Sequence, residues 1–238
     1  MYETPLFTMY FGGVSDYFYP DAIKSEINSA NAPALRALRE RLQVEQVVFL
    51  HQIHSSDGIN ISSKEYVEQL GTFEKTGDFL VTNVPQVGLG VLTADCLPIV
   101  MYDEQTPAFT VVHAGWRGSV AGISIKALEM MQQHYGSRMA AVRIFFGPSA
   151  QSCCYEISED FISNVAPFSY ACRSVEQRGK KLFFNLPFFN QMLLLHEGIK
   201  PEQIHHTYNI CTMCNASFYS HRRQGNMAGR NVTLALLK

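Results

Sequence analysis

Charge is scarce in this chain. Asp, Glu, Lys and Arg make up 17% of its 238 residues, against about a quarter in an average soluble domain, so a large share of the chain belongs in an interior. No sign of charge dominates. The 19 Lys and Arg face 21 Asp and Glu and are scattered, which leaves no basic stripe of the kind a nucleic-acid-binding surface needs. No uninterrupted apolar run approaches the ~18 residues of a membrane-spanning helix. The opening residues Met1-Tyr2-Glu3-Thr4-Pro5 lack the positive start and apolar stretch of a secretory leader. There is no internal repeat, no low-complexity run and no Pro/Gly/Ser linker. The six cysteines do not read as a disulfide framework, because Cys153 and Cys154 are adjacent and the chain is not a small stapled scaffold. The expectation is a reduced, cytoplasmic protein that binds neither nucleic acid nor membrane. The oligomeric state is not legible.

Hydrophobic residues, at 47%, are enough for a core that needs no staple at this length. Their pattern predicts strands over Leu6–Val14, Val47–Leu50, Phe79–Thr82, Gly88–Thr93, Ile99–Tyr102, Phe109–His113, Val142–Phe146, Gln203–Ile210 and Asn231–Leu237. Helices are predicted from near Pro33, with Leu35, Leu38 and Leu42 on one face, and over Phe188–His196. A longer one is predicted from Ser119 as N-cap to Tyr135, with Gly136 as its stop. Strands in clusters with a few helices between them favour one α+β domain over an alternating α/β fold.

Chemistry concentrates in a few dense segments. Gln52-Ile53-His54 follows an apolar strand, Thr93-Ala94-Asp95-Cys96-Leu97-Pro98 lies between two strands, and His113-Ala114-Gly115-Trp116-Arg117-Gly118 joins a strand to a helix. Each sets a nitrogen or sulfur donor at the end of a β element. Two His and one Cys would give zinc or copper three ligands and an open position. Taken singly, His54 reads equally as a hydrogen-bonded histidine and Cys96 as a small buried hydrophobe. At the helix start, Gly115 and Gly118 permit close backbone approach, and Arg117 and Ser119 offer donors to a phosphate or carboxylate. The bland alternative is a turn whose arginine pairs with an acid. Ser220-His221-Arg222-Arg223 is either a solvated turn or part of an anion pocket. Gly147–Glu156 reads as a structural loop with two small buried thiols, Cys153 and Cys154. Cys211-Thr212-Met213-Cys214 is a CxxC without a second pair at zinc-finger spacing, and so reads as non-metal.

Together these segments resemble one family. Gly12-Gly13-Val14-Ser15, Gln52-Ile53-His54, Asp78-Phe79-Leu80-Val81-Thr82, the TADCLP and HAGWRG strings, Gly147-Pro148-Ser149 with Cys154-Tyr155-Glu156, Cys211-Thr212, Ser220–Arg223 and Gly229-Arg230 follow in order over nearly the whole chain. They are similar to the bacterial multicopper-polyphenol-oxidase-like, or laccase-domain, family, also described as purine nucleoside phosphorylases with adenosine deaminase activity. The resemblance implies a single α+β domain over residues 1–238, with mixed β-sheets in an α/β/β/α layered sandwich. It implies that His54, Cys96 and His113 are both the metal ligands and the catalytic residues, with zinc expected ahead of copper. The implied substrates are a purine nucleoside and phosphate: phosphorolysis of adenosine, inosine and methylthioadenosine, with adenosine deamination besides. Phosphate is assigned to Arg117 and Ser119, with Arg222 and Arg223 second. The chain departs from the pattern at Ser55, where the family usually has glycine after the first His. Three alternatives stay open. One is a Cys/His hydrolase acting on peptidoglycan precursors, with Cys96 as nucleophile and His113 as its base. The others are a copper-dependent polyphenol oxidase, for which eight histidines without an HxH pair are a poor fit, and a metal-binding interaction module.

Overall fold

Strands that are buried on both faces form the centre of the molecule. The structure, a computed structural model, describes residues 1–19 and 24–238. Tyr2–Glu3, Phe7–Phe11, Asn231–Leu237, Val87–Thr93 and Gln46–Phe49 lie side by side, in that order, as a five-stranded sheet. Ile204–His205, Val142–Phe146, Leu97–Asp103, Ala108–Ala114, Phe79–Thr82 and Gly58–Ile61 form a six-stranded one. Both sheets are mixed. Gln46–Phe49 runs parallel to Val87–Thr93, and Gly58–Ile61 to Phe79–Thr82, whereas Leu97–Asp103 and Ala108–Ala114 pair antiparallel.

The layering follows from alternation along the strands, since successive side chains point to opposite faces. Ile99 and Met101 turn outward, onto Ile123, Ala127 and Met131 of the Ile123–Tyr135 helix and Leu193 and Leu194 of the Leu186–His196 helix. Val100 and Tyr102 turn inward, into a core shared with Phe7, Met9, Leu89, Val91 and Ala235 of the facing sheet. There Phe7 stacks on Tyr102 with ring centroids 4.1 Å apart. The outer face of the five-stranded sheet, at Val232, Leu234 and Leu236, is covered by Leu38 and Leu42 of the Lys24–Leu42 helix. The order is helix, sheet, sheet, helix, as the resemblance implies. Every residue of Phe79–Thr82, Leu97–Asp103, Ala108–Ala114 and Asn231–Leu237 is buried. Strands covered on both faces carry near-continuous apolar runs, which is why these four were easy to read.

Three expectations need correction. The first helix covers Lys24–Leu42, so Pro33 lies inside it and is not its first turn. Leu35, Leu38 and Leu42 all follow Pro33, so the apolar periodicity starts only there. The helix expected from Ser119 is two helices, Trp116–Val120 and Ile123–Tyr135. Gly122, at φ 77°, takes the left-handed backbone between them, a conformation glycine adopts at no steric cost. Ser119 therefore sits within the shorter helix, whose N-cap is Gly115. Gly136 does stop the longer one. Of the strand expected over Gln203–Ile210, only Ile204–His205 pairs, and the chain then turns, with Asn209 N donating to His206 O. The hairpin Val175–Arg178 with Lys181–Phe184, which pairs with Glu156–Ile157, escaped the pattern because its first strand carries almost no apolar alternation.

Candidate active site

At one end of the sandwich, where the sheets part, three segments converge. Cys96 immediately precedes the Leu97–Asp103 strand, and His113 lies near the end of the neighbouring Ala108–Ala114 strand, opposite Pro98. His54 arrives from the loop that leaves Gln46–Phe49 of the other sheet. That loop is fixed at Gln52, whose side-chain amide donates to Leu92 O and accepts from Leu92 N, at 2.7 and 2.8 Å. The ligand atoms of His54, Cys96 and His113 all lie within 4.8 Å of one another, and the two imidazoles meet edge to face at 4.8 Å between centroids. Gly115 packs beneath them. A Cβ there would come within 2.9 Å of His54 Cδ2 and 3.0 Å of Cys96 Sγ.

The backbone is strained where it delivers these groups. His54 has φ 60° and Asp95 φ 90°, both in the region that residues with a Cβ adopt at a cost. Asp78 holds the first of them. It is wholly buried and accepts hydrogen bonds from five donors. His54 N and His113 Nδ1 donate to Oδ1 at 3.0 and 2.8 Å. Ile53 N, Ser55 N and Ser55 Oγ donate to Oδ2 at 3.3, 2.7 and 2.8 Å. The serine that replaces the family glycine therefore adds a donor to this carboxylate.

These contacts set the protonation states. Burial opposes the Asp78 charge, but hydrogen bonds from His113 and Ser55 outweigh it and hold the carboxyl below its usual range. Burial likewise raises the Cys96 thiol, yet His113 and His54 bring it down to about 6. Burial disfavours the His113 imidazolium, but the Cys96 thiolate and Asp78 push it up to about 9. Without an ion, the site is a thiolate beside an imidazolium. With one, Cys96 is already a thiolate donor. The Asp78 contact to His113 Nδ1 leaves Nε2 to point at the ion, the usual orientation of a metal-bound histidine backed by a carboxylate. One sulfur and two imidazole nitrogens are donors that suit zinc, with a position left open.

The trio opens into a cavity of about 340 Å³, also lined by Gln52, Asp95, Trp116, Tyr155, His221, Arg222 and Arg230. That is the lower end of the size of small-molecule sites. One wall is cationic. Arg222 lies over the Tyr155 ring at 4.8 Å and donates to Glu156 O. Its backbone N donates to Asp95 Oδ2 at 2.7 Å.

The other residues expected to hold phosphate lie elsewhere. Arg117 is exposed and stacks on its neighbour Trp116, 4.4 Å from the ring centroid. Ser119 is buried, and its hydroxyl accepts from Asn190 Nδ2 at 2.9 Å. Arg223 directs its guanidinium to the carbonyls of Thr212, Met213, Asn215 and Phe218. Asp78, Tyr155 and Arg230 stood in the matched segments but were given no role from the sequence, and His221 was read only as part of the Ser220–Arg223 segment. A signal existed for Asp78, a charge directly ahead of the apolar run Phe79-Leu80-Val81. Among the described residues a second group could share an ion: Cys153, Cys154, Cys211 and Cys214. Cys153 is exposed, not the small buried thiol expected.

Comparison with known proteins agrees with this architecture. Residues 6–238 match the model of the family described as multi-copper polyphenol oxidoreductase laccase. A purine nucleoside phosphorylase of Clostridium acetobutylicum is 30% identical over 210 residues, covering 86% of this chain and 82% of the relative. An adenosine deaminase, RL5, from an unknown prokaryotic organism is 28% identical, covering 92% and 84%. The crystal structure of the hypothetical protein YfiH of Bacillus licheniformis superposes with a TM-score of 0.81 at 27% identity, over 89% of this chain and 82% of that one. Among the described residues, no helix is long and apolar enough to cross a membrane.

Proposed function

The chain belongs to the multi-copper polyphenol oxidoreductase laccase family, and from that membership we propose that it is a metal-dependent enzyme of purine nucleosides. It transfers the sugar of adenosine, inosine or methylthioadenosine to phosphate, releasing the free base, and it deaminates adenosine. The names of the relatives support the substrate class. The observation that carries the reading is the convergence of His54, Cys96 and His113, backed by Asp78, beneath a cavity with a cationic wall.

His54, Cys96 and His113 would hold zinc. Bound there, zinc supplies Lewis acidity and a water of lowered pKa, the nucleophile that deamination at C6 of adenine requires. The chain's own residues do the rest. Asp78 keeps the His113 proton on Nδ1, so that Nε2 faces the site. Tyr155 and Trp116 give the cavity aromatic surface for a purine. Phosphate must be held beside C1′ of the sugar while the base departs, and Arg222, with His221 and Arg230 on the same wall, supplies charge-assisted donors for it. Copper is the alternative ion, but a multicopper oxidase needs several His-rich sites, and the described residues bring together one group containing histidine.

Inosine is the discriminating substrate, since it has no amino group at C6 and any base released reports glycosidic cleavage alone. Chromatography of inosine incubated with the protein should yield hypoxanthine with phosphate present and little without it. Equal release without phosphate makes the enzyme a hydrolase, and no release in either case defeats the reading. One second reading has an observation in its favour: the thiolate–imidazolium pair of Cys96 and His113 suits a nucleophilic Cys/His hydrolase acting on cell-wall precursors. It requires a covalent adduct on Cys96, visible by mass spectrometry, and activity that survives chelation.

A further inference from the structure

The four cysteines outside the cavity come from two segments that are remote in sequence and clamped together in space. Ser149 N donates to Ile210 O at 3.0 Å and Thr212 N to Ser149 O at 3.1 Å, a parallel bridge between Ser149 and Cys211. Gln151 Nε2 adds a bond to Asn209 O at 2.7 Å. On one segment, Cys154 N and Tyr155 N both donate to Gln151 O, and this tight turn carries both of its thiols toward the other segment. On the second, Asn215 N donates to Cys211 O across the CxxC turn. Arg223 braces the same turn by donating to the carbonyls of Thr212, Met213 and Asn215. The scaffold that holds the sulfurs is thus built from hydrogen bonds that need no ion.

The result is a compact set of four sulfurs. Cys153 Sγ lies 3.5 Å and Cys154 Sγ 3.0 Å from Cys214 Sγ, and all four sulfurs are within 4.8 Å of one another. A tetrahedron of thiolates at the Zn–S bond length of about 2.3 Å has edges of about 3.8 Å. The four sulfurs gather on that scale. A polynuclear iron–sulfur cluster distributes its thiolates over several irons and spreads them further apart. The CxxC did lack a second pair at zinc-finger spacing, as the sequence indicated. The fold supplies the pair from the adjacent Cys153 and Cys154.

We propose that Cys153, Cys154, Cys211 and Cys214 bind one zinc ion in a closed, four-thiolate structural site. Four protein ligands leave no open position, so the site does no chemistry of its own. Its function is positional. Thr212 Oγ1 donates to Asp95 Oδ1 at 2.7 Å, and Arg222 N donates to Asp95 Oδ2 at 2.7 Å. The segment that the ion secures is therefore the one that brings His221 and Arg222 to the cavity, and it is tied to the residue preceding Cys96.

Zinc content and sulfur coordination test the proposal apart from the cavity trio. Protein carrying His54→Ala, Cys96→Ala and His113→Ala together, purified under reducing conditions, should retain one zinc per chain. X-ray absorption should find four sulfurs at about 2.3 Å. Adding Cys154→Ser or Cys211→Ser should remove that zinc. Should the triple variant not fold, Cys214→Ser in the otherwise native chain should lower zinc content by one per chain, whatever the trio binds. Cys214 is exposed, so the substitution spares the core. Zinc content unchanged by the cysteine substitution, nitrogen in the zinc shell of the triple variant, bound iron in place of zinc at the four sulfurs, or a metal-free cluster with two hydrogens fewer from a disulfide would each overturn it.

Discussion

Replacing Asp78 by Asn tests the electrostatic frame of the site while preserving its shape. The carboxylate accepts from five donors with two oxygens, and Asn keeps one oxygen and turns the other into a donor. If the oxygen stays on His113 Nδ1 and His54 N, then Ile53 N, Ser55 N and Ser55 Oγ face an NH₂ group. The serine hydroxyl rotates to accept, but the two amides cannot. A fully buried donor left unmatched costs about 1–3 kcal/mol; these two amides are part-buried, so together they cost about 2 kcal/mol, still a sizeable share of the about 5–15 kcal/mol that holds a domain folded. If the amide flips instead, its NH₂ meets His113 Nδ1 and forces the proton to Nε2, the nitrogen that must face the ion. Either way zinc affinity should fall about 10–100-fold, the usual cost of losing such a supporting carboxylate.

Ser55→Ala is the matched control. It removes one of the five bonds and its donor together; the other group it frees, Asp57 N, which donates to Ser55 Oγ at 3.1 Å, is exposed and can turn to water, so the change should cost about 1 kcal/mol with little change in zinc affinity. Urea unfolding in chelator measures the first quantity, and competition with a chromophoric chelator the second. The pH dependence has a definite sign. The Asp78 carboxyl titrates below its usual range in the folded protein. Its stabilisation is therefore present above the unfolded pKa and lost as pH falls through the folded one. Asp78→Asn should flatten the acid limb of wild-type stability. Wild-type zinc affinity in Asp78→Asn, or equal damage from Ser55→Ala, would refute the reasoning.

Four more outcomes are expected. In chelated protein, alkylation of Cys96 should rise through about pH 6, and His113→Ala should move that rise to higher pH; a rise near 9 in wild type would remove the ion pair. The stability contributed by the pair should be lost below about pH 6, as the thiolate protonates, and above about pH 9, as the imidazolium deprotonates. Gly115→Ala should lower zinc binding at least tenfold, because its Cβ meets His54 and Cys96, while overpacking costs about 1–3 kcal/mol of stability; zinc titration and urea unfolding of one preparation check both. Arg222→Ala should raise the KM for phosphate about tenfold or more, the equivalent of one charge-assisted contact, and Arg117→Ala should leave it near wild type; steady-state kinetics with inosine would show the reverse if phosphate sits on the outer face.

The legible parts of the fold were those that packing fixes from both sides. Phe79–Thr82 and Asn231–Leu237, buried throughout, and Val142–Phe146, buried at all but Arg143, carry their burial in their composition, and the structure has them at the bounds the sequence predicts. Gly58–Ile61 and the Val175–Arg178 hairpin are stabilised by pairing more than by burial, so composition does not announce them. Helix starts were misread for a related reason. Apolar periodicity begins only with the leucines after Pro33, whereas the helix already includes Lys24. At the site, His54, Cys96 and His113 were legible as donors at strand ends and through the motifs around them. Arg117 illustrates the limit of that reading. Its sequence neighbours are the densest in the chain, yet one helical turn is enough to aim its side chain outward, and linear proximity to His113 does not report that rotation.

Asp95 explains why the cavity and the cysteine cluster are best understood together. Its φ of 90° is a conformation that a residue with a Cβ keeps only when its surroundings enforce it. Three bonds do so: Ala150 N to its carbonyl at 2.8 Å, Thr212 Oγ1 to Oδ1 and Arg222 N to Oδ2. Two of the three donors belong to the segment bearing Cys211 and Cys214. The third belongs to the segment bearing Cys153 and Cys154. The strain that directs Cys96 into the cavity is thus balanced by the same two segments whose sulfurs converge outside it. A thiolate at a strand end needs an anchor on its exposed side, where the sheets provide none, and these two segments supply it.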